Sequence, residues 1–201
     1  MMATDPTIDK PARGFIPTIM TSRLRLRAFT LYDVEPLHRV MSGEEVLCYF
    51  PVTVPPTLEK TETFIRRQLE HWGTHKYGWW AVDLLTEDRL IGWAGLQYLP
   101  ETDETEVAYL LARDTWGRGL AVEAAMAGLY FGFEALGRDT IIAVVHVDNA
   151  RSVRVLDKLG MTRDRRDSYF GIEVYHYTLD RTTYDRALKP KIACSVNVSG
   201  S

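Results

Sequence analysis

The fold is decided by the stretch Arg113-Asp114-Thr115-Trp116-Gly117-Arg118-Gly119-Leu120-Ala121-Val122-Glu123-Ala124. An apolar strand is predicted before it, at residues 106–112, and an apolar helix is predicted after it, from about residue 117 to residue 136. The first backbone N–H groups of a helix have no partner inside the helix, and the helix dipole adds partial positive charge there. Gly117 and Gly119 let the backbone approach a ligand closely. The turn therefore predicts a phosphate site at a helix start, or else a tight connection between strand and helix.

A second informative segment follows about thirty residues later and reads His146-Val147-Asp148-Asn149-Ala150-Arg151-Ser152-Val153-Arg154-Val155-Leu156-Asp157-Lys158-Leu159-Gly160-Met161. A β-branched strand is predicted before it, at residues 140–147. Asn149 is a typical helix N-cap, and Gly160 suits the left-handed residue that ends a helix. The segment thus predicts a short helix that begins where a strand ends.

Together, the two segments resemble the GNAT superfamily of acyl-CoA-dependent N-acetyltransferases, and within it the ribosomal-protein N-terminal acetyltransferase (RimJ/RimL) branch. That branch carries Trp-Gly-x-Gly-x-Ala-x-Glu, matched at residues 116–123. It also carries Asn-x-x-Ser before Lys-Leu-Gly-Phe, matched by Asn149, Ser152 and residues 158–160, with Met161 in place of Phe. The resemblance implies an α/β (α+β) GNAT fold, with a mixed, mostly antiparallel sheet of about six to seven strands flanked by about four helices.

The chain shows no internal repeat and no linker, so we predict a single acyltransferase domain at residues 21–188. Residues 1–20 are charged and proline-broken and are interpreted as a flexible arm, while residues 189–201 lack periodicity and are interpreted as a tail. A dinucleotide-binding oxidoreductase is the less favoured alternative. The third glycine of its G-x-G-x-x-G motif would fall at Val122.

The composition fits many classes of globular protein, but it argues against nucleic-acid and membrane partners. The 201 residues are 46% hydrophobic and 25% charged, as in ordinary globular domains. A net charge of -3 gives no support for nucleic-acid binding, and no apolar run approaches the ~20 residues that span a bilayer. Cys48 and Cys194 are interpreted as free thiols in a reducing compartment. We therefore expect a cytoplasmic protein with no nucleic-acid or membrane partner, and a homodimer is left open.

The resemblance implies acetyl-CoA or another acyl-CoA as co-substrate and no metal. It places the pantetheine arm beside the strand before the turn, where a backbone N–H near Leu111 would polarise the thioester carbonyl. Trp116 replaces the Gln or Arg that usually opens the superfamily's phosphate motif, so the turn depends on backbone donors and on Arg118. The implied CoA contacts are Leu110, Leu111, Ala112, Gly117, Arg118, Gly119, Leu120, Ala121, Val122, Asn149 and Ser152.

An alkylammonium has a pKa near ~10.4, so a base must remove a proton before the amine can attack. The resemblance and the position of Glu106, in a mostly apolar strand, make it the predicted base; alternatively it is simply exposed at the strand start. Many family members carry a Tyr at the position of Leu156, and that Tyr is absent here. Ser152 is predicted to act near the CoA sulfur instead, the alternative being a serine on the helix surface.

We therefore predict transfer of an acetyl group from acetyl-CoA to a primary amine by direct attack in a ternary complex. The acceptor is either a protein N-terminus or a small amine such as an antibiotic or a polyamine. A non-catalytic CoA-binding sensor is the main alternative. Residues 41–72 and 169–177 are expected to select the acceptor, with the proline-broken loop at 48–56 lying over the pocket or serving as a packed connector.

Overall fold

The computed structural model describes residues 15–100, 102–169, 171–192 and 194–197. The first fourteen residues of the expected arm and the last four of the expected tail lie outside the described residues. Within the described ranges the strands are β1 Thr18–Thr21, β2 Leu24–Arg27, β3 Trp79–Leu84, β4 Arg89–Leu99, β5 Glu104–Leu111, β6 Thr140–His146, β7 Thr162–Tyr169, β8 Ile172–Asp180 and β9 Cys194–Asn197. The helices are α1 Val34–Met41, α2 Leu58–His75, α3 Leu120–Tyr130, α4 Ala150–Lys158 and α5 Arg181–Thr183, and π-helical turns at Phe131–Ala135 and Tyr184–Leu188 extend α3 and α5.

The strands form one mixed sheet in the order β7-β8-β6-β5-β4-β3-β2-β1-β9. Every neighbouring pair is antiparallel except β5 and β6, which are parallel. The predicted fold class, a mostly antiparallel mixed sheet flanked by helices, is confirmed. The sheet has nine strands, however, rather than the expected six to seven.

The two additional strands, β1 and β9, lie partly or wholly in segments that the sequence placed outside the domain. Ile19 of β1 is fully buried, and Trp80 Nε1 donates a hydrogen bond to Pro17 O at 2.7 Å. β9 extends the sheet by pairing with β1. Each strand has only four residues, the shortest run in which alternation of apolar and polar residues can be recognised, and in β1 the apolar Ile19 and Met20 are consecutive. The boundaries expected at residues 20 and 189 therefore do not mark the ends of the sheet.

The sheet is covered on both faces, and successive side chains of β5 belong to different cores, as the pleat requires. Val107 and Leu111 pack in the core that contains α3 and α4. Leu110 lies in the core beneath α1 and α2, and Ala108 packs against it. Side chains of β5 therefore reach the cores on both faces of the sheet.

β5 and β6 separate almost at once. Their parallel register contains the pair Glu106↔Ile142. Beyond Glu106, the backbone groups of β5 that point away from β4 have no strand partner among the described residues. This opening in the sheet positions the candidate site.

Candidate active site

A cleft of about 550 Å³ lies where β5 and β6 separate. Such a volume is typical of sites for small molecules and cofactors. Residues of β5 and β6 form its sides, and the glycine turn, α4 and the loop after α1 complete it.

The glycine turn meets this cleft at the start of α3. Gly117 and Gly119 have φ angles of 77° and 79°, a left-handed conformation that favours glycine. A Cβ at Gly117 would meet nothing within 4 Å, and one at Gly119 would meet only Arg23 Nη2 at 3.7 Å. Backbone conformation therefore requires the glycines, and the space before the turn is open. The helix itself begins at Leu120, three residues later than expected.

Most of the residues expected to bind CoA line the cleft. Two do not. Ala112 donates its backbone N–H to Ile91 O at 2.7 Å, and the Arg118 guanidinium lies 3.7 Å from the Glu87 carboxylate. The expected residues that line the cleft are Leu110, Leu111, Gly117, Gly119, Leu120, Ala121, Val122, Asn149 and Ser152.

Glu106 lines the same cleft and is buried rather than exposed at the strand start, with 8% of its surface accessible. Burial raises the pKa of its carboxyl group to about 7, and the hydrogen bond that Oε1 accepts from Val144 N at 3.4 Å opposes the rise. A carboxyl group with a pKa near neutrality can exchange protons readily at physiological pH.

Ser152 belongs to a short hydrogen-bonded chain on the other wall. Its N–H donates to Asn149 Oδ1 at 3.1 Å, which caps α4 as predicted. Its Oγ lies 2.7 Å from the Tyr109 hydroxyl, and Tyr109 also lines the cleft. Burial raises the pKa of Tyr109, although the hydrogen bond with Ser152 opposes the rise. Sequence reasoning missed this contact, because no spacing rule links β5 to α4.

Trp116 is held between two arginines. The guanidinium carbons of Arg113 and Arg151 lie 4.7 Å and 4.6 Å from its ring centroid, and its indole N–H donates to Leu111 O at 2.8 Å. Glu45 accepts a hydrogen bond from Arg151 at 2.9 Å and lies 3.6 Å from Arg113. Glu45 thus joins the loop after α1 to the rim of the cleft. Nothing in the sequence indicated this contact, which spans 106 positions.

Glu123 ties the glycine turn to the turn between β1 and β2. Its carboxylate accepts hydrogen bonds from Thr21 Oγ1 at 2.6 Å, Ser22 Oγ at 3.0 Å and Arg23 N at 2.9 Å. Arg23 also donates to Arg118 O at 2.9 Å. The conformation of the turn is therefore supported from outside the cleft.

The segments expected to select an acceptor contribute to the cleft in part. Phe50 and Pro51 of the proline-broken loop line it, whereas Pro55 and Pro56 do not. From the second segment, the residues that line it are Tyr169, Ile172 and Val174.

Comparison with known proteins identifies the class. Residues 23–162 match the family described as Acetyltransferase (GNAT) domain. The chain is 29% identical over 149 residues to the uncharacterized N-acetyltransferase YoaA of Bacillus subtilis (strain 168), covering 74% of this chain and 84% of that protein. An acetyltransferase from Agrobacterium tumefaciens superposes with a TM-score of 0.73 at 28% identity, covering 83% of this chain and 96% of that one.

The fold is shared with a ribosomal-protein-S5-alanine acetyltransferase from Vibrio fischeri, at a TM-score of 0.65 and 15% identity over 81% of this chain and 96% of that one. The chain belongs to the GNAT acetyltransferase family, and the expected resemblance is confirmed. It is an acetyltransferase, and its family uses acetyl-CoA to acylate amines. In the described part of the chain, no helix combines the length and apolar character that a membrane span requires.

Proposed function

We propose that the protein transfers the acetyl group of acetyl-CoA to a primary amine by direct attack within a ternary complex. The observation that carries this proposal is the buried carboxyl group of Glu106, with its pKa raised to about 7, in the same cleft as an open glycine turn. A base of that pKa suits removal of a proton from an ammonium group at neutral pH.

The residues present fit a CoA thioester. The turn offers backbone N–H groups at a helix start, and Arg154 and Lys158 of α4 add positive charge along the cleft. Leu111 O accepts from Trp116 Nε1, but the other backbone groups of β5 that point away from β4 have no strand partner beyond Glu106 and could pair with the amides of a pantetheine arm, in the manner of an added strand. When bound, acetyl-CoA supplies an activated acetyl group.

Glu106 is proposed to accept the proton that the amine must lose before it attacks. The carboxylate has no cationic partner among the described residues, so an incoming ammonium group would be its counter-ion. Ser152 is proposed to donate a hydrogen bond or a proton to the departing sulfur. Tyr109 is proposed to orient the Ser152 hydroxyl and to share a proton with it. The name of the Vibrio fischeri neighbour states an alanine of ribosomal protein S5 for that enzyme. A protein N-terminus is one of the two acceptor classes proposed for this chain.

A thiol-release assay with acetyl-CoA and a panel of amines and free N-terminal peptides tests the proposal. We expect amine-dependent release of CoA, with the acetylated amine as product. Tight acetyl-CoA binding by calorimetry without transfer to any member of a broad panel would instead support a CoA-binding sensor.

A further inference from the structure

We propose that the acceptor is a monocationic primary amine attached to an aromatic or other large apolar group, rather than a polyamine or an aminoglycoside. This inference rests on the proposed acetyl transfer and names the class of substrate for the same site. Two features of the cleft carry it: an aromatic wall and a sparse supply of carboxylates.

One wall of the cleft is aromatic. Trp79 and Trp93 both line the cleft, and their rings stack with centroids 3.9 Å apart and an interplanar angle of 16°. Phe50 packs its edge against Trp93 at 6.2 Å, and Phe64 stacks on Trp79 at 5.8 Å. Trp93 is buried, with 3% of its surface exposed, so the half-buried rings of Trp79 and Phe50 form the apolar surface that meets a ligand. That surface favours an apolar group on the ligand.

The same cleft is poor in negative charge. Of the residues that line it within the described chain, the carboxylates are Glu45 and Glu106. Glu45 is already engaged by Arg151 and Arg113, which leaves Glu106 as the carboxylate able to meet an ammonium group. A ligand with several positive charges would have one carboxylate for all of them, which disfavours it.

The test uses the full chain and measures kcat/KM for acetyl-CoA-dependent thiol release. The acceptors are phenethylamine, phenylalanine amide, glycine amide, spermidine and kanamycin. We expect both aromatic amines to exceed glycine amide, spermidine and kanamycin by about 10-fold or more, the discrimination typical of an apolar pocket. Equal or better acetylation of spermidine or kanamycin would overturn the substrate class and leave the proposed acetyl transfer standing. If none of the five amines is acetylated, the proposed substrate class is wrong. If calorimetry also shows no binding of acetyl-CoA, the proposed function is wrong as well.

A pair of variants in one loop tests the wall itself. Phe50→Ala should raise KM for phenethylamine about 10-fold while leaving KM for glycine amide and the affinity for acetyl-CoA nearly unchanged. Val52→Ala is the matched control, because Val52 lies two residues away, is 69% exposed and does not line the cleft. A parallel loss for phenethylamine and glycine amide in Phe50→Ala would show that the ring only supports the loop, and would contradict the proposal.

Discussion

Glu106→Gln should make the protein more stable, by an amount that depends on pH, and it should make the protein much less active. The pKa of Glu106 is raised to about 7 in the folded protein from an ordinary 4.5, and this gap corresponds to about 3 kcal/mol. Between these two values the unfolded chain has released its proton while the folded protein still holds it, so wild-type stability falls as pH rises. Gln carries no charge and avoids this loss. The variant should therefore exceed the wild type by less than about 1 kcal/mol at pH 5 and by about 3 kcal/mol at pH 8.

Urea unfolding of both proteins at pH 5 and pH 8 measures this difference. Glu70→Gln, at an exposed position on α2, is the matched control. In the thiol-release assay, kcat/KM of the wild type should rise with an apparent pKa of about 7. Glu106→Gln should lower it by roughly 10²-fold or more. An equal stability difference at both pH values would refute the assignment of a raised pKa, and full activity of Glu106→Gln at pH 7 would refute the role as base.

Three further sets of variants test other parts of the cleft. Gly119→Asp should weaken acetyl-CoA binding measured by calorimetry at least about 10-fold, because a carboxylate would occupy the proposed phosphate site. Gly137→Asp is the control, because Gly137 has a similarly left-handed backbone outside the cleft, and it should leave acetyl-CoA binding unchanged. Ser152→Ala and Tyr109→Phe should each lower kcat with little change in acetyl-CoA affinity. The double variant should have a kcat only slightly below that of the worse single variant, since the two hydroxyls act as a unit. Strictly additive effects on kcat would show that the two hydroxyls have separate roles. Glu123→Gln should reduce the free energy of unfolding by about 1–3 kcal/mol, because charged hydrogen bonds are lost. An unchanged urea midpoint would show that the hydrogen bonds between Glu123 and the turn between β1 and β2 do not stabilise the fold.

The sequence predicted the parts of the site that depend on local backbone chemistry. Gly117 and Gly119 were recognisable because a left-handed turn before a helix favours glycine. Asn149 was recognisable as a helix cap, and Glu106 as an ionisable residue in an apolar strand. The strands at residues 106–112 and 140–147 were also recognisable, because their apolar or β-branched runs end at the glycine turn and at the helix cap.

What the sequence left out depends on contacts between distant segments. Glu45 reaches Arg151 across 106 positions, and Tyr109 reaches Ser152 from another element. Neither contact has a spacing rule. Arg118 was expected at the phosphate site because of its place in the motif, yet it lies beside Glu87 across the neighbouring hairpin. β1 and β9 pair with each other although they are more than 170 positions apart, and neither segment alone reveals that pairing.

The most direct test of the account is a single-turnover reaction with acetyl-CoA labelled in its acetyl group, followed by mass spectrometry of both the intact protein and the small molecules. The acceptors would be a mixture of primary amines and free N-terminal peptides. The account predicts that label passes to an amine in step with CoA release, while the mass of the intact chain stays unchanged. Label that first accumulates on the protein, or that appears only as acetate, would contradict direct transfer in this cleft.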